Sequence, residues 1–280
     1  MAEPRKLQVK FWGVRGSIPT PVAGNLGHGG NTACIEVRYG SEPPLIFDAG
    51  TGARRLTTKL LQEAGGEPLS ANIFLTHFHW DHIQGIPFMP ALYTPSCQLN
   101  FYSDRPTDML QDTLKGQMSS PYFPVRLPGV LAEVRYRQIG PQGLEFGSLT
   151  VKPFPLCHPD GAVGYRIDAP GESVVYASDH EHGDDRYDRG VLENAQGADI
   201  LIYDAQFTPE EYLSSAGWGH STWLEGAKLA RQAGAGQLVL FHHDPGHDDE
   251  TLSAIERDAR SEFANTVAAK EGWPESTSRA

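Results

Sequence analysis

The sequence is short of cysteine, of long apolar runs and of positive charge. Its three cysteines, Cys34, Cys97 and Cys157, are odd in number and far apart, which argues against a disulfide framework and suits reduced thiols. No segment approaches the roughly 18 consecutive apolar residues of a membrane helix. The start, Met1 to Lys10, carries charges but no apolar signal-peptide core. The expected compartment is therefore the cytoplasm, with no membrane partner. Lysine and arginine number 23 against 35 aspartates and glutamates, a formal charge of −12. Affinity for long nucleic acid rests on many basic side chains neutralising phosphates, so no large nucleic-acid partner is expected.

A chain of 280 residues with 39% apolar content can bury one sizeable two-layer core or two small ones. No convincing linker interrupts it, so residues 1–280 are read as one domain, with an irregular insertion over about 87–129 and a loose tail after about Glu271. The insertion is rich in Pro, Met and aromatics and reads as a packed irregular segment or a lid. Strands are expected at Leu7–Trp12, Thr32–Tyr39, Leu45–Phe47 and Ile73–Thr76, then at Leu149–Phe154, Val163–Ile167, Val174–Ala177, Ile200–Tyr203 and Leu238–Phe241. Helical periodicity places Leu56, Leu60 and Ala64 on one face, stopped by Gly65-Gly66, and predicts a helix through Val191, Leu192 and Ala195. Thr208 with Glu211, and Thr222 with Glu225, read as two capping boxes. A last helix entered through Asp248-Asp249-Glu250 aligns Leu252, Ile255, Ala259, Phe263 and Val267. Strands followed by helices in each half predict an α/β fold, an αββα sandwich of two mixed sheets flanked by helices.

The 11 histidines cluster beside aspartates. His77-Phe78-His79-Trp80-Asp81-His82 gathers three imidazoles and a carboxylate in six residues, directly after a strand. These are zinc-type donors, and a catalytic site leaves one position open for water. Later strand ends add His158, Asp179 and His242, which weakens the bland alternative of a His-rich surface loop.

This pattern of His-x-His-x-Asp-His with a later His, Asp and His resembles the metallo-β-lactamase superfamily over nearly the whole chain. Gly219-His220-Ser221-Thr222 and Leu238-Val239-Leu240-Phe241-His242, together with Gly13-Val14-Arg15-Gly16-Ser17-Ile18-Pro19 and Gly29-Gly30-Asn31-Thr32, look like its ribonuclease Z and phosphodiesterase branch. The resemblance implies two divalent metal ions, zinc in first place with manganese or iron as other occupants. His77, His79 and His158 would hold one; Asp81, His82 and His242 the other; Asp179 would bridge them. His242 is preferred over His243, and His180, His182 and His247 are left as outer or surface groups. Asp48, in Asp48-Ala49-Gly50-Thr51-Gly52, would orient ligands rather than bind metal. A homodimer is common among such relatives.

Two cations about 3.5 to 4 Å apart can activate a shared water and stabilise phosphoryl charge. Asp81 is assigned the role of base or nucleophile orienter, and His220 that of transition-state stabiliser and acid. Family members usually partner this histidine with Glu; here the strand ends in Asp204, one methylene shorter. About twenty residues separate His158 from Asp179, too few for the transfer-RNA arm of ribonuclease Z. The expected substrate is therefore a small phosphodiester, with a 3′,5′-cyclic nucleotide such as cyclic AMP in the lead. Ribonuclease Z-type or small cyclic-phosphate cleavage comes next, then acyl hydrolysis of the lactonase or thioesterase kind. Trp80, Tyr93, Phe101, Tyr122 and Phe123 are candidate walls for a base. Redox di-iron and catalytically silent binding proteins are disfavoured by His79, the chain length and the full ligand set.

Overall fold

The computed structural model describes residues 6–272 and 274–276. The first half contributes strands β1 (Leu7–Gly13), β2 (Cys34–Tyr39), β3 (Leu45–Phe47), β4 (Leu69–Phe74), β5 (Cys97–Ser103) and β6 (Glu133–Gln138). Its helices are α1 (Gly52–Ala64), the single turn α2 (Trp80–Ile83) and α3 (Thr107–Gln117). The second half supplies β7 (Leu144–Phe146), β8 (Leu149–Leu156), β9 (Ala162–Ala169), β10 (Glu172–Ala177), β11 (Ile200–Asp204), β12 (Gln237–Phe241) and β13 (Thr266–Ala268). Helices α4 (Asp185–Ala195), α5 (Pro209–Ser215), α6 (Trp223–Ala233) and α7 (Asp249–Glu262) accompany them, and β14 (Pro274–Ser276) returns to the first sheet.

Two seven-stranded sheets result, ordered β14-β1-β2-β3-β4-β5-β6 and β13-β12-β11-β10-β9-β8-β7. Each is mixed: β3 to β6 run parallel in the first, β10 to β13 in the second, and the remaining pairs are antiparallel. Their inner faces meet through Phe11, Phe47, Phe74, Tyr165, Tyr176 and Phe241, all essentially inaccessible. Leu56, Leu60, Leu110 and Leu114 of α1 and α3 cover the outside of the first sheet. Val191, Ala227, Ala230, Leu252 and Ile255 of α4, α6 and α7 cover the second. This is the expected αββα sandwich. No helix among the described residues is long and apolar enough to cross a membrane.

Several local expectations need correction. The stretch 87–129 is not irregular throughout, since it holds β5 and α3. Strand β5 is covered on both faces, so its sequence lacks the alternation that marks a half-exposed strand. Residues 274–276 of the expected loose tail pair antiparallel with β1; Trp273 and residues 277–280 lie outside the described residues. Thr208 and Glu211 form a full capping box. Thr222 caps α6, but the Glu225 carboxylate binds Lys228 at 2.7 Å instead of returning to the cap. Helix α7 stops at Glu262, and Val267 belongs to β13. The three cysteines are free thiols.

Candidate metal centre

All the chemistry-bearing side chains leave the C-terminal ends of strands, on one edge of the sandwich. Beyond β3, Asp48 turns into the left-handed region at φ 59°. Its buried carboxylate accepts the Thr76 N–H at 2.9 Å, the Thr76 hydroxyl at 3.0 Å and the Tyr176 hydroxyl at 2.8 Å. The His82 Nδ1 lies 2.8 Å from Oδ2, the oxygen that also accepts from Tyr176. Beyond β4 comes His77, then His79 at the start of α2, whose single turn buries Asp81 and His82 and leaves Trp80 61% exposed. Beyond β8 comes His158, beyond β10 Asp179, and beyond β12 His242.

These residues converge as two sets, His77 with His79 and His158, and Asp81 with His82, Asp179 and His242; within each, one candidate ligand atom per residue lies within 4.8 Å of the others. His158 Nε2 is 3.1 Å from His79 Nδ1. His82 Nε2 is 3.3 Å from His242 Nε2 and 3.3 Å from Asp81 Oδ2. Asp179 stands between the sets, its oxygens 3.8 Å and 3.9 Å from the Nε2 atoms of His77 and His158, and 3.2 Å and 3.4 Å from those of His82 and His242.

Such crowding of nitrogens and carboxylates has no purpose as a hydrogen-bond network. His77 Nε2 is buried without any partner, which for a buried polar atom demands an explanation. Imidazole and carboxylate donors at this spacing fit divalent metal ions. Burial opposes charge on His77, Asp81, His82, His158, Asp179 and His242. Even so, the carboxylates of Asp179 and Asp81 pull His242 up to about 9 and His82 well above its ordinary value. Burial, aided by His82, pushes His77 well below 6.5. Divalent ions held by these groups would compete with protons for His82 and His242, since a ligating imidazole must be free of the proton on its ligating nitrogen.

The supporting groups are equally specific. His77 Nδ1 is 3.0 Å from the Thr76 hydroxyl, His158 Nδ1 is 2.8 Å from the Gly219 carbonyl, and His242 Nδ1 is 2.9 Å from Gln206 Oε1. Ser17, from the loop after β1, donates its N–H to Asp81 Oδ2 at 2.8 Å. Gly219, at φ 88°, is required sterically, because a Cβ there would lie 2.3 Å from His158 Nδ1.

His220 Nδ1 sits 2.8 Å from Asp204 Oδ2, and 4.0 Å from Asp179 Oδ1. Asp204 is fully buried and also accepts the N–H groups of Asp179, Gln206 and Ser221. It therefore anchors the backbone of a candidate metal ligand as well as the histidine. His243 is turned to the Ala269 carbonyl, away from the cluster. His180 pairs with Asp188, His182 with the Ser221 hydroxyl, and His247 with Glu211. Gln206, Thr76 and Tyr176 were not anticipated from the sequence. Only Gln206 left a trace there, as a polar residue two positions beyond Asp204 at a strand end.

The family model of the beta-lactamase superfamily domain matches residues 45–243. Ribonuclease Z of Methanosarcina mazei is 28% identical over 316 aligned positions, covering 95% of this chain and 96% of that one. Ribonuclease Z of Lacticaseibacillus casei is 26% identical, covering 81% of this chain and 83% of its own. Among solved structures, the metallo-beta-lactamase fold protein YhfI from Bacillus subtilis superposes with a TM-score of 0.73 at 23% identity, covering 97% and 99% of the two chains. A diphosphatase of the PhnP family gives a TM-score of 0.71 at 18% identity, covering 96% and 97%. The chain belongs to the beta-lactamase superfamily, and its fold and ligand cluster define a metal-dependent hydrolase. Within that superfamily it falls in the ribonuclease Z-like branch.

Proposed function

We propose that the protein is a binuclear phosphodiesterase acting on a small phosphodiester, with a 3′,5′-cyclic nucleotide opened to its 5′-monophosphate as the leading substrate. His77, His79 and His158 would hold one divalent ion, Asp81, His82 and His242 the other, and Asp179 would touch both; zinc best matches the donors. Ions so held supply Lewis acidity and bring the pKa of a water towards neutrality. The remaining work falls to the chain. Asp81, fixed by the Ser17 N–H, orients the nucleophile and takes its proton.

The observation that carries the proposal is the His220–Asp204 pair beside Asp179. With Nδ1 committed to Asp204, the imidazole keeps its Nε2 for the substrate. There it can stabilise developing phosphoryl charge and protonate the leaving oxygen. Asp204 thus does what a Glu would do in relatives, from a shorter side chain.

The segment between His158 and Asp179 supports a small substrate, since it is occupied by sheet strands β9 and β10 rather than by a protruding arm. The net charge of −12 points the same way. Cleavage of RNA is the second candidate, because the relatives cited carry the name ribonuclease Z. A hydrolysis panel decides: bis(p-nitrophenyl) phosphate, cyclic AMP, cyclic GMP, 2′,3′-cyclic nucleotides, a transfer-RNA precursor, a lactone and a cephalosporin. Turnover of the small phosphodiesters is expected. Turnover confined to the lactone or cephalosporin would overturn the substrate class, and turnover confined to RNA would replace it with the second candidate.

A further inference from the structure

A cavity of about 430 Å³, whose wall includes Trp80 from between the candidate ligands His79 and Asp81, takes no part in the chemistry proposed for the metal centre. That volume is within the roughly 300–1,000 Å³ of small-molecule sites. Its walls include Trp80, Phe88, Tyr122, Phe123, Gln117 and Arg54. Trp80, Phe88 and Tyr122 are 61%, 58% and 76% exposed. Three large aromatic side chains left open to water around one hollow are unusual when the rest of the core is sealed. Phe88 and Phe123 meet edge to face at 5.5 Å and form a rigid corner. Tyr93 and Phe101, also expected as base walls, do not line it: the Tyr93 hydroxyl donates to the Pro87 carbonyl, and Phe101 is fully buried.

A second observation points independently to a ligand. Gln117, at the end of α3, is only 8% exposed, and its Nε2 donates to the Ile83 carbonyl at 2.8 Å. That bond fixes the amide orientation, and Oε1 is left buried with no donor. An unmet acceptor in the wall of an aromatic cavity calls for a flat ring that brings an N–H.

We propose that this cavity seats the nucleobase of the substrate, a ring with an N–H or NH2 on its edge, stacked against Trp80 and Tyr122 and donating to Gln117 Oε1. The chain position supports it: Trp80 lies between His79 and Asp81, which puts its ring within a nucleotide's length of a phosphate at the metals although the Asp81 side chain points inward and the Trp80 ring outward. Arg54 adds a cationic donor at the rim for ring acceptors. The proposal rests on the phosphodiesterase assignment and deepens it to nucleotides.

The test is calorimetric titration of the metal-loaded protein with adenosine 5′-monophosphate, purine riboside 5′-monophosphate, which lacks the exocyclic amine, and ribose 5-phosphate. The adenosine nucleotide is expected to bind about 10- to 100-fold more tightly than ribose 5-phosphate, the range of one stacked base, with the purine nucleotide between them. In Trp80→Ala, and separately in Tyr122→Ala, the ratio between adenosine nucleotide and ribose phosphate should shrink by about fivefold or more. Both side chains are largely exposed, so the fold does not depend on them. Equal affinity for the nucleotide and the sugar phosphate, or a ratio indifferent to both substitutions, overturns the seat. Equal affinity for the adenosine and purine nucleotides removes the Gln117 contact. The two assignments fail separately: base-dependent binding without phosphodiester hydrolysis leaves the seat and removes the activity, and hydrolysis indifferent to the base does the reverse.

Discussion

Replacing Asp48 by Asn tests whether a side chain that touches no metal governs metal affinity. Asp48 offers only acceptors, and every group around it is a donor or can be one: the Thr76 N–H, the Thr76 and Tyr176 hydroxyls and His82 Nδ1. An Asn must turn its NH2 toward one side. Facing Thr76, it opposes a backbone N–H that cannot reverse. Facing His82, it forces Nδ1 to accept, which moves the ring proton to Nε2. That atom lies 3.2 Å from Asp179 and 3.3 Å from Asp81 and His242, where the proposed metal would need a lone pair. Losing such an outer partner weakens metal binding about 10- to 100-fold, or about 1.4–2.7 kcal/mol. Chelator competition with a fluorescent zinc indicator measures it, with the larger loss expected at the His82 set, which Asp48 touches directly, than at the His77 set, which it reaches only through the Thr76 hydroxyl. Unchanged affinity at both positions would refute the role of Asp48.

Further outcomes are expected. His220→Ala should lower kcat severely while metal content by atomic emission stays near two per chain; loss of metal would make His220 a ligand. Asp204→Asn should lower kcat less, and should also lower the melting temperature, because it gives up a charged acceptor for three backbone N–H groups. Gly219→Ala should drive His158 out of place, so metal analysis should find about one ion instead of two; full occupancy would show that the loop yields. Burial holds His28 below 6.5 in spite of its bond to Asp249, so the unfolded chain takes up this proton first. The resulting penalty is absent above about 6.5 and grows as pH falls below it. Urea unfolding of metal-free protein between pH 7.5 and 5.5 should therefore show a shallower loss of stability in His28→Gln than in the parent.

The site was legible where its residues are neighbours in sequence. His77 to His82 announce themselves within six positions, and strand ends carrying His158, Asp179 and His242 were visible as apolar runs stopped by a polar residue. Asp204 was found as the last residue of such a run, but not its hold on the Asp179 backbone, which joins residues on two adjacent strands. Gln206, Thr76 and Tyr176 escaped because each acts through a contact that only the fold creates. The same limit applied to β5, hidden by burial on both faces, and to Val267, which matches a helical stripe by spacing while lying in β13.

Asp48, Asp179 and His242 all hold left-handed backbone angles, at φ 59°, 62° and 62°. For side chains other than glycine, each such residue stores about 1–3 kcal/mol. Glycine would relieve that strain, yet at Asp48 it would leave the Thr76 N–H, the Thr76 and Tyr176 hydroxyls and His82 Nδ1 without their buried acceptor, at about 1–3 kcal/mol for each unmet group. The strained turns are thus held in place by the bonds their own side chains make, and relaxing the backbone would unfasten the edge of the sandwich.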